Sequence, residues 1–140
     1  MWNTAIGLPD IYGEKKGWKK IVKRKEQKMK VSDVIARLGL TILNSPRSLE
    51  AEVTGGYVSD LLSDVMGNAR EGQVWITLQT HKNILAVASL KELSAIILVR
   101  GNKPDAETLR KSNEENIPLL GTEYDAFEIT GQLYNLLKRA

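Results

Sequence analysis

The sequence has no cysteine, which excludes disulfide stapling, thiol nucleophiles and thiolate metal sites, and fits a reducing compartment. It has one histidine, His81, too few for the usual zinc-ligand sets. No apolar run approaches the roughly 20 residues that a membrane-spanning helix needs. The opening MWNTAIGLPDIYGEKK lacks the basic start and apolar stretch of a secretion signal, so a soluble, cytoplasmic chain is expected.

What is present fits one domain. A chain of 140 residues, 42% of them hydrophobic, buries a core without staples but has no room for a second full domain. The net charge of +3 hides a split. Residues 1–30 carry nine basic residues against Asp10, Glu14 and Glu26, a net +6, while residues 31–140 carry eleven against fourteen, a net −3. The basic run KKIVKRKEQKMK has no sustained apolar face and repels itself, so residues 1–30 are expected to be a flexible basic arm and residues 31–140 the folded domain. The folded part lacks the basic surface of a nucleic-acid binder.

From Val31 the pattern is regular. Ser32 is expected to cap a helix carrying Val34, Ile35 and Leu38 and ending at Gly39. LTILN reads as a short strand, and a second strand is expected over Leu49–Thr54, interrupted by Gly55 and Gly56. Ser59 or Asp60 then caps a helix through Leu61, Leu62, Val65 and Met66. QVWITL after Gly72 reads as a buried strand, Thr80 as the cap of a helix with Ile84, Leu85, Val87 and Ala88, and AIILV as the strongest core strand. Pro104 suits the first turn of a helix running to about Glu115, IPLL is a further strand, and a last helix from about Tyr124 is expected to bury Phe127, Ile129, Leu133, Leu136 and Leu137. Strand–helix alternation with short links predicts an α/β, three-layer-like domain with a mainly parallel sheet flanked by helices. In such sheets ligands bind beyond the carboxyl ends of strands, which directs attention to the segments after LTILN, Val53, Leu78 and Val99.

The most distinctive feature is Val53-Thr54-Gly55-Gly56. Paired glycines permit positive φ and close approach of a phosphate or backbone, and the amides of a following helix attract anions. The plainer reading is a tight strand-to-helix turn, because the Lys of a P-loop and the third glycine of a dinucleotide fingerprint are missing. His81 lacks a paired nucleophile or orienting carboxylate, which makes it structural, or a donor to an anion at a helix start. Asp60, Asp64, Asp105, Glu114, Glu115, Asp125 and Glu128 show no regular ligand spacing, and Asp60 and Asp105 suit helix starts.

The TGG turn resembles the DRTGG domain family in combination with three later segments. These are Glu71-Gly72-Gln73-Val74-Trp75-Ile76-Thr77, Ala95-Ile96-Ile97-Leu98-Val99 followed by Gly101 and Pro104, and Ile117-Pro118-Leu119-Leu120 leading into Tyr124-Asp125-Ala126-Phe127-Glu128. The likeness runs from about Val31 to the end, but Glu52 and Val53 stand where the family's Asp and Arg would be. The resemblance implies a non-catalytic αβ domain that pairs with itself, alone or attached to regulatory modules of prokaryotic phosphate-metabolising enzymes.

The expected function is therefore regulatory: a homodimer that senses a small anionic or nucleotide-like ligand or docks onto an enzyme partner. The candidate ligand-binding residues are Thr54, Gly55, Gly56, Asp60, Thr77, Thr80, His81 and Arg100, with a pocket near Thr54–Asp60, Thr77–Lys82 and Arg100–Lys103. No catalytic residue, metal, cofactor or membrane partner is expected. The alternatives are a small phosphoryl-transfer enzyme, for which a Gly-rich loop with Lys is lacking, and a nucleic-acid-associated regulator acting through the arm.

Overall fold

In a computed structural model that describes residues 28–139, the chain runs α1 (Val31–Leu38), β1 (Thr41–Ile42), β2 (Gly55–Val58), α2 (Leu62–Asn68), β3 (Gln73–Thr77), α3 (Asn83–Leu90), β4 (Ala95–Leu98), α4 (Ala106–Glu115), β5 (Leu119–Gly121) and α5 (Ala126–Arg139). The strands lie in the order β1-β5-β4-β3-β2. β2 through β5 are mutually parallel and β1 is antiparallel to β5. The mainly parallel sheet is as the alternation predicted; the arm, residues 1–27 of it, lies outside the described residues.

Each link between neighbouring parallel strands steps in the same direction, so right-handed crossovers put α2, α3 and α4 on one face. That face is packed by Trp75, Ile96, Leu98 and Leu119 against Val65, Ile84, Leu85 and Ala88. The opposite face, with Val74, Ile76, Ile97 and Leu120, packs against Val31 and Val34 of α1 and Ile129 and Leu133 of α5. Both faces of β3 and β4 are buried, which is why these strands read as unbroken apolar runs rather than alternating ones.

Several boundaries differ from the sequence reading. α1 is entered at Lys30, whose amide donates to Asp33 Oδ2 at 2.9 Å, so Ser32 is not its cap; Gly39, at φ 64°, closes the helix as expected. Leu49–Thr54 is not a sheet strand. It runs beside residues 29–32, with Val31 N–H donating to Ala51 O and Val53 N–H to Met29 O. The strand proper begins at Gly55, because Gly56 leaves room for α5: a Cβ there would stand 3.0 Å from Leu133 Cδ2. Leu61 precedes α2, with its amide bonded to Ser59 Oγ, and Lys82 precedes α3, so neither Asp60 nor Thr80 caps a helix. Leu90 ends α3 and is exposed, and Leu93 is buried beyond a turn at Glu92. Pro104 lies two residues before α4, ahead of its cap Asp105. α5 starts at Ala126, and Phe127 is 90% exposed, because only the side carrying Ile129 and Leu133 meets the sheet.

Candidate functional site

The position of β2 divides the sequence candidates into two groups. Parallel pairing of Gly55 with Gln73 puts Thr54, Gly55 and Gly56 at the amino end of the sheet. There the Thr54 amide donates to Gly72 O and its hydroxyl to Glu71 O, both at 2.9 Å. Asp60, Thr77, Thr80, His81 and Arg100 follow the carboxyl ends. A strand of four residues spans roughly 13 Å, so the two groups do not form one pocket. The expected pocket joining Thr54 to Thr77 and Arg100 is therefore not assembled: the glycines belong to a strand rather than to the turn after it.

Thr54, Gly55 and Gly56 instead line a groove of about 420 Å³ between β2 and α5, walled by Val58, Leu133 and Tyr134. Upstream, Glu52 reaches Lys28 at 3.7 Å, and Val53 is buried in the core beneath α1. The position of the family's Arg is thus filled by an apolar core residue.

At the carboxyl ends, Asp60 ties β2 to β3. Its Oδ1 accepts from Thr77 Oγ1 and from the Leu78 amide, each at 2.8 Å, while Gln79 Nε2 returns a bond to Asp60 O at 3.0 Å. Trp75 Nε1, from the same face of β3 as Thr77, donates to Ser59 O at 2.8 Å. Nearby, the Ser59 and Tyr57 hydroxyls hold the Asp64 carboxyl below its ordinary pKa, against a smaller opposing effect of burial. Tyr57 is raised in return, chiefly by its hydrogen bond to Asp64.

The loop after β3 leans on the start of α4. His81 Nδ1 accepts from the Asn83 amide at 3.2 Å, and Lys82 pairs with Glu107 at 3.3 Å. Asp105 is held below its ordinary pKa chiefly by hydrogen bonding from Thr108, whose amide donates to it at 2.7 Å. Thr80 lies half-buried in the loop between β3 and α3.

At this end a cavity of about 420 Å³ with a mixed polar and apolar lining lies beyond β4 and β5. Thr41, Asn102, Lys103, Thr122 and Glu123 contribute its polar atoms. Its wall turns on two successive left-handed residues, Arg100 at φ 58° and Gly101 at φ 68°. Their amides donate to Tyr124 O and Thr122 O, both at 2.8 Å. A Cβ on residue 101 would lie 2.8 Å from Glu123 Oε1, the movable end of that side chain, and the left-handed φ of 68° is what favours glycine there. Arg100 is exposed at the rim and does not line the cavity. Sequence reasoning anticipated Arg100–Lys103 but missed Thr122–Tyr124. The signal was available, since IPLL is also a parallel strand with a carboxyl end.

Among the described residues no group of three His, Cys, Asp or Glu is arranged to hold a metal ion, and no helix is long and apolar enough to cross a membrane.

Fold and site together define a small αβα module with its polar loops gathered at the carboxyl edge of a parallel sheet. The chain belongs to the DRTGG domain family, whose sequence profile matches residues 33–136. No curated protein matches it. Among solved structures it is similar to the CBS and DRTGG domains of the regulatory region of Clostridium perfringens pyrophosphatase, complexed with the activator diadenosine tetraphosphate. The TM-score is 0.59 at 18% identity, with 74% of this chain and 44% of that chain covered, so the chain spans less than half of that region.

Proposed function

We propose that this chain is a non-catalytic regulatory module, acting as a homodimer, that binds a small anionic or nucleotide-like ligand at the carboxyl ends of β4 and β5. The observation that carries the reading is the cavity there. It is held open by the left-handed pair Arg100–Gly101, a conformation that a non-glycine residue keeps only where its surroundings impose it. Lys103 is the cation in the lining and supplies charge to an anion, Glu123 is its carboxylate and can accept only from a ligand hydroxyl or amine, and Thr41, Asn102 and Thr122 supply neutral hydrogen bonds. Membership of a family with a member in a regulatory region supports control rather than catalysis. The activator named for the pyrophosphatase makes adenine nucleotides the first ligands to try. Arg100, His81 and Thr80 form an outer rim in this reading, and Asp60 and Thr77 brace the strand ends.

The test is thermal denaturation of the full chain against diadenosine tetraphosphate, mononucleotides and inorganic phosphate. A ligand that binds only the native state at about 100 times its Kd stabilises by about 2.7 kcal/mol, a rise of several degrees in Tm. The rise is expected to saturate and to be lost in Lys103→Glu, whose Tm without ligand stays near that of the parent because residue 103 is exposed. A panel that leaves Tm flat, or a rise that Lys103→Glu retains, removes this cavity as the site.

A further inference from the structure

We propose that the outer face of α5 is a self-association surface, which packs antiparallel on α5 of a second copy of this chain about a two-fold axis passing near Gly131. The proposal rests on the homodimer reading above and gives it a surface. At 100° per residue, Phe127, Gly131, Tyr134 and Lys138 fall on one stripe, opposite the side that buries Ile129 and Leu133. Phe127 is 90% exposed and Tyr134 60%, two large aromatics one heptad apart on a helix whose core-facing side is already filled.

Gly131 is the second observation. Glycine inside a helix is less stable than alanine, and a Cβ at residue 131 would meet nothing within 4 Å. Nothing among the described residues therefore calls for glycine at this place. A second helix crossing the stripe there does, because the missing side chain lets the backbones approach closely.

Charge selects the occupant and its direction. α5 is acidic at its start, with Glu128 in its first turn and Asp125 just before it, and basic at its end, with Lys138 and Arg139. A two-fold axis at the middle of the helix sets each acidic start against the basic end of the other copy, whereas a parallel pair sets like charges together. The face is thus self-complementary, as an isologous interface requires. The helix is 14 residues, or about 21 Å, long, so one helix pair buries less than the roughly 800 Å² per partner of a standard interface. The adjoining groove of β2, which Tyr134 and Val58 both line, extends the surface. A dimer that dissociates in the micromolar range and weakens with salt is expected.

Because the chain has no cysteine, Asn135→Cys places a single thiol on exposed α5 one turn from the proposed axis and leaves Gly131 in place. Lys111→Cys places one at an exposed position of α4 on the opposite layer. After treatment of the full chain with a short bis-maleimide, the first is expected to run mainly as a crosslinked dimer and the second as monomer. Sedimentation of the cysteine-free chain is expected to show a concentration-dependent dimer. Phe127→Glu should weaken it at least tenfold with Tm unchanged at low concentration, and Gly131→Ala should weaken it while raising the Tm of the dilute chain. A chain that is monomeric throughout overturns both this surface and the homodimer reading. A dimer that Phe127→Glu leaves intact, with equal crosslinking of the two cysteines, overturns the surface alone.

Discussion

At the scale of single residues, the polar side chains at the carboxyl edge serve the fold before any ligand. Asp60 joins two strands, and Asp105 begins α4 by accepting the Thr108 amide at 2.7 Å. The Asp105 carboxyl is held below its ordinary pKa mainly by that bond. A carboxyl whose folded pKa lies below its unfolded value contributes stability that is complete above the ordinary carboxylate range. That contribution is lost as pH falls through the lowered folded value. Asn caps helices about as well as Asp but does not titrate. Asp105→Asn is therefore expected to have a lower Tm than the parent at neutral pH, with the gap closing under acid conditions. Tm measured from pH 7 down to about pH 3, where carboxylates protonate, checks this; a gap that stays constant shows that the charge of Asp105 contributes nothing.

Among the secondary-structure elements, those buried on both faces were the ones legible in the sequence. β3, α3 and β4 stand within about a residue of their expected cores, because Val74-Trp75-Ile76 and Ala95-Ile96-Ile97-Leu98 have no polar position to confuse the reading. β2 was misplaced because Gly55 and Gly56 have poor strand propensity and usually mark turns. Only the tertiary contact with Leu133 explains Gly56, and local pattern carries no such information. That one displacement moved Thr54–Gly56 to the wrong end of the sheet and so broke up the expected pocket. Phe127 was misread for a related reason: apolar side chains on two faces of α5 look like one broad core stripe. The contact between β2 and α5 is testable. Gly56→Val inserts methyl groups against Leu133 and is expected to cost about 1–3 kcal/mol. Gly55→Ala meets only the Gln73 side chain, at 3.6 Å, and is expected to cost well below that. Urea denaturation of both variants measures the difference, and equal losses mean that α5 does not depend on Gly56.

Across the whole molecule, the charge is divided between the first thirty residues, at +6, and the remainder, at −3. A polyanion attracts through released counterions, and each phosphate neutralised adds roughly 0.7–0.9 to the slope of log affinity against log salt. Seven basic residues precede residue 28, and the described domain that follows holds thirteen basic against fourteen acidic residues, a net −1. Attraction of the full chain to DNA or heparin is therefore expected to be salt-sensitive and indifferent to base sequence. A chain beginning at Lys28 is expected to pass through heparin at low salt with no measurable slope. The outcome separates two physical sources of binding. Retention of the shortened chain means that net charge is the wrong guide and that a local patch dominates. The place to look is then the groove of about 390 Å³ between α1 and α5, where Arg37 and Arg139 come together beside Gln132 and Asn135. Loss of retention leaves the domain free of polyanion affinity, as the proposed small-anion ligand requires if binding it is not to be masked by nucleic acid.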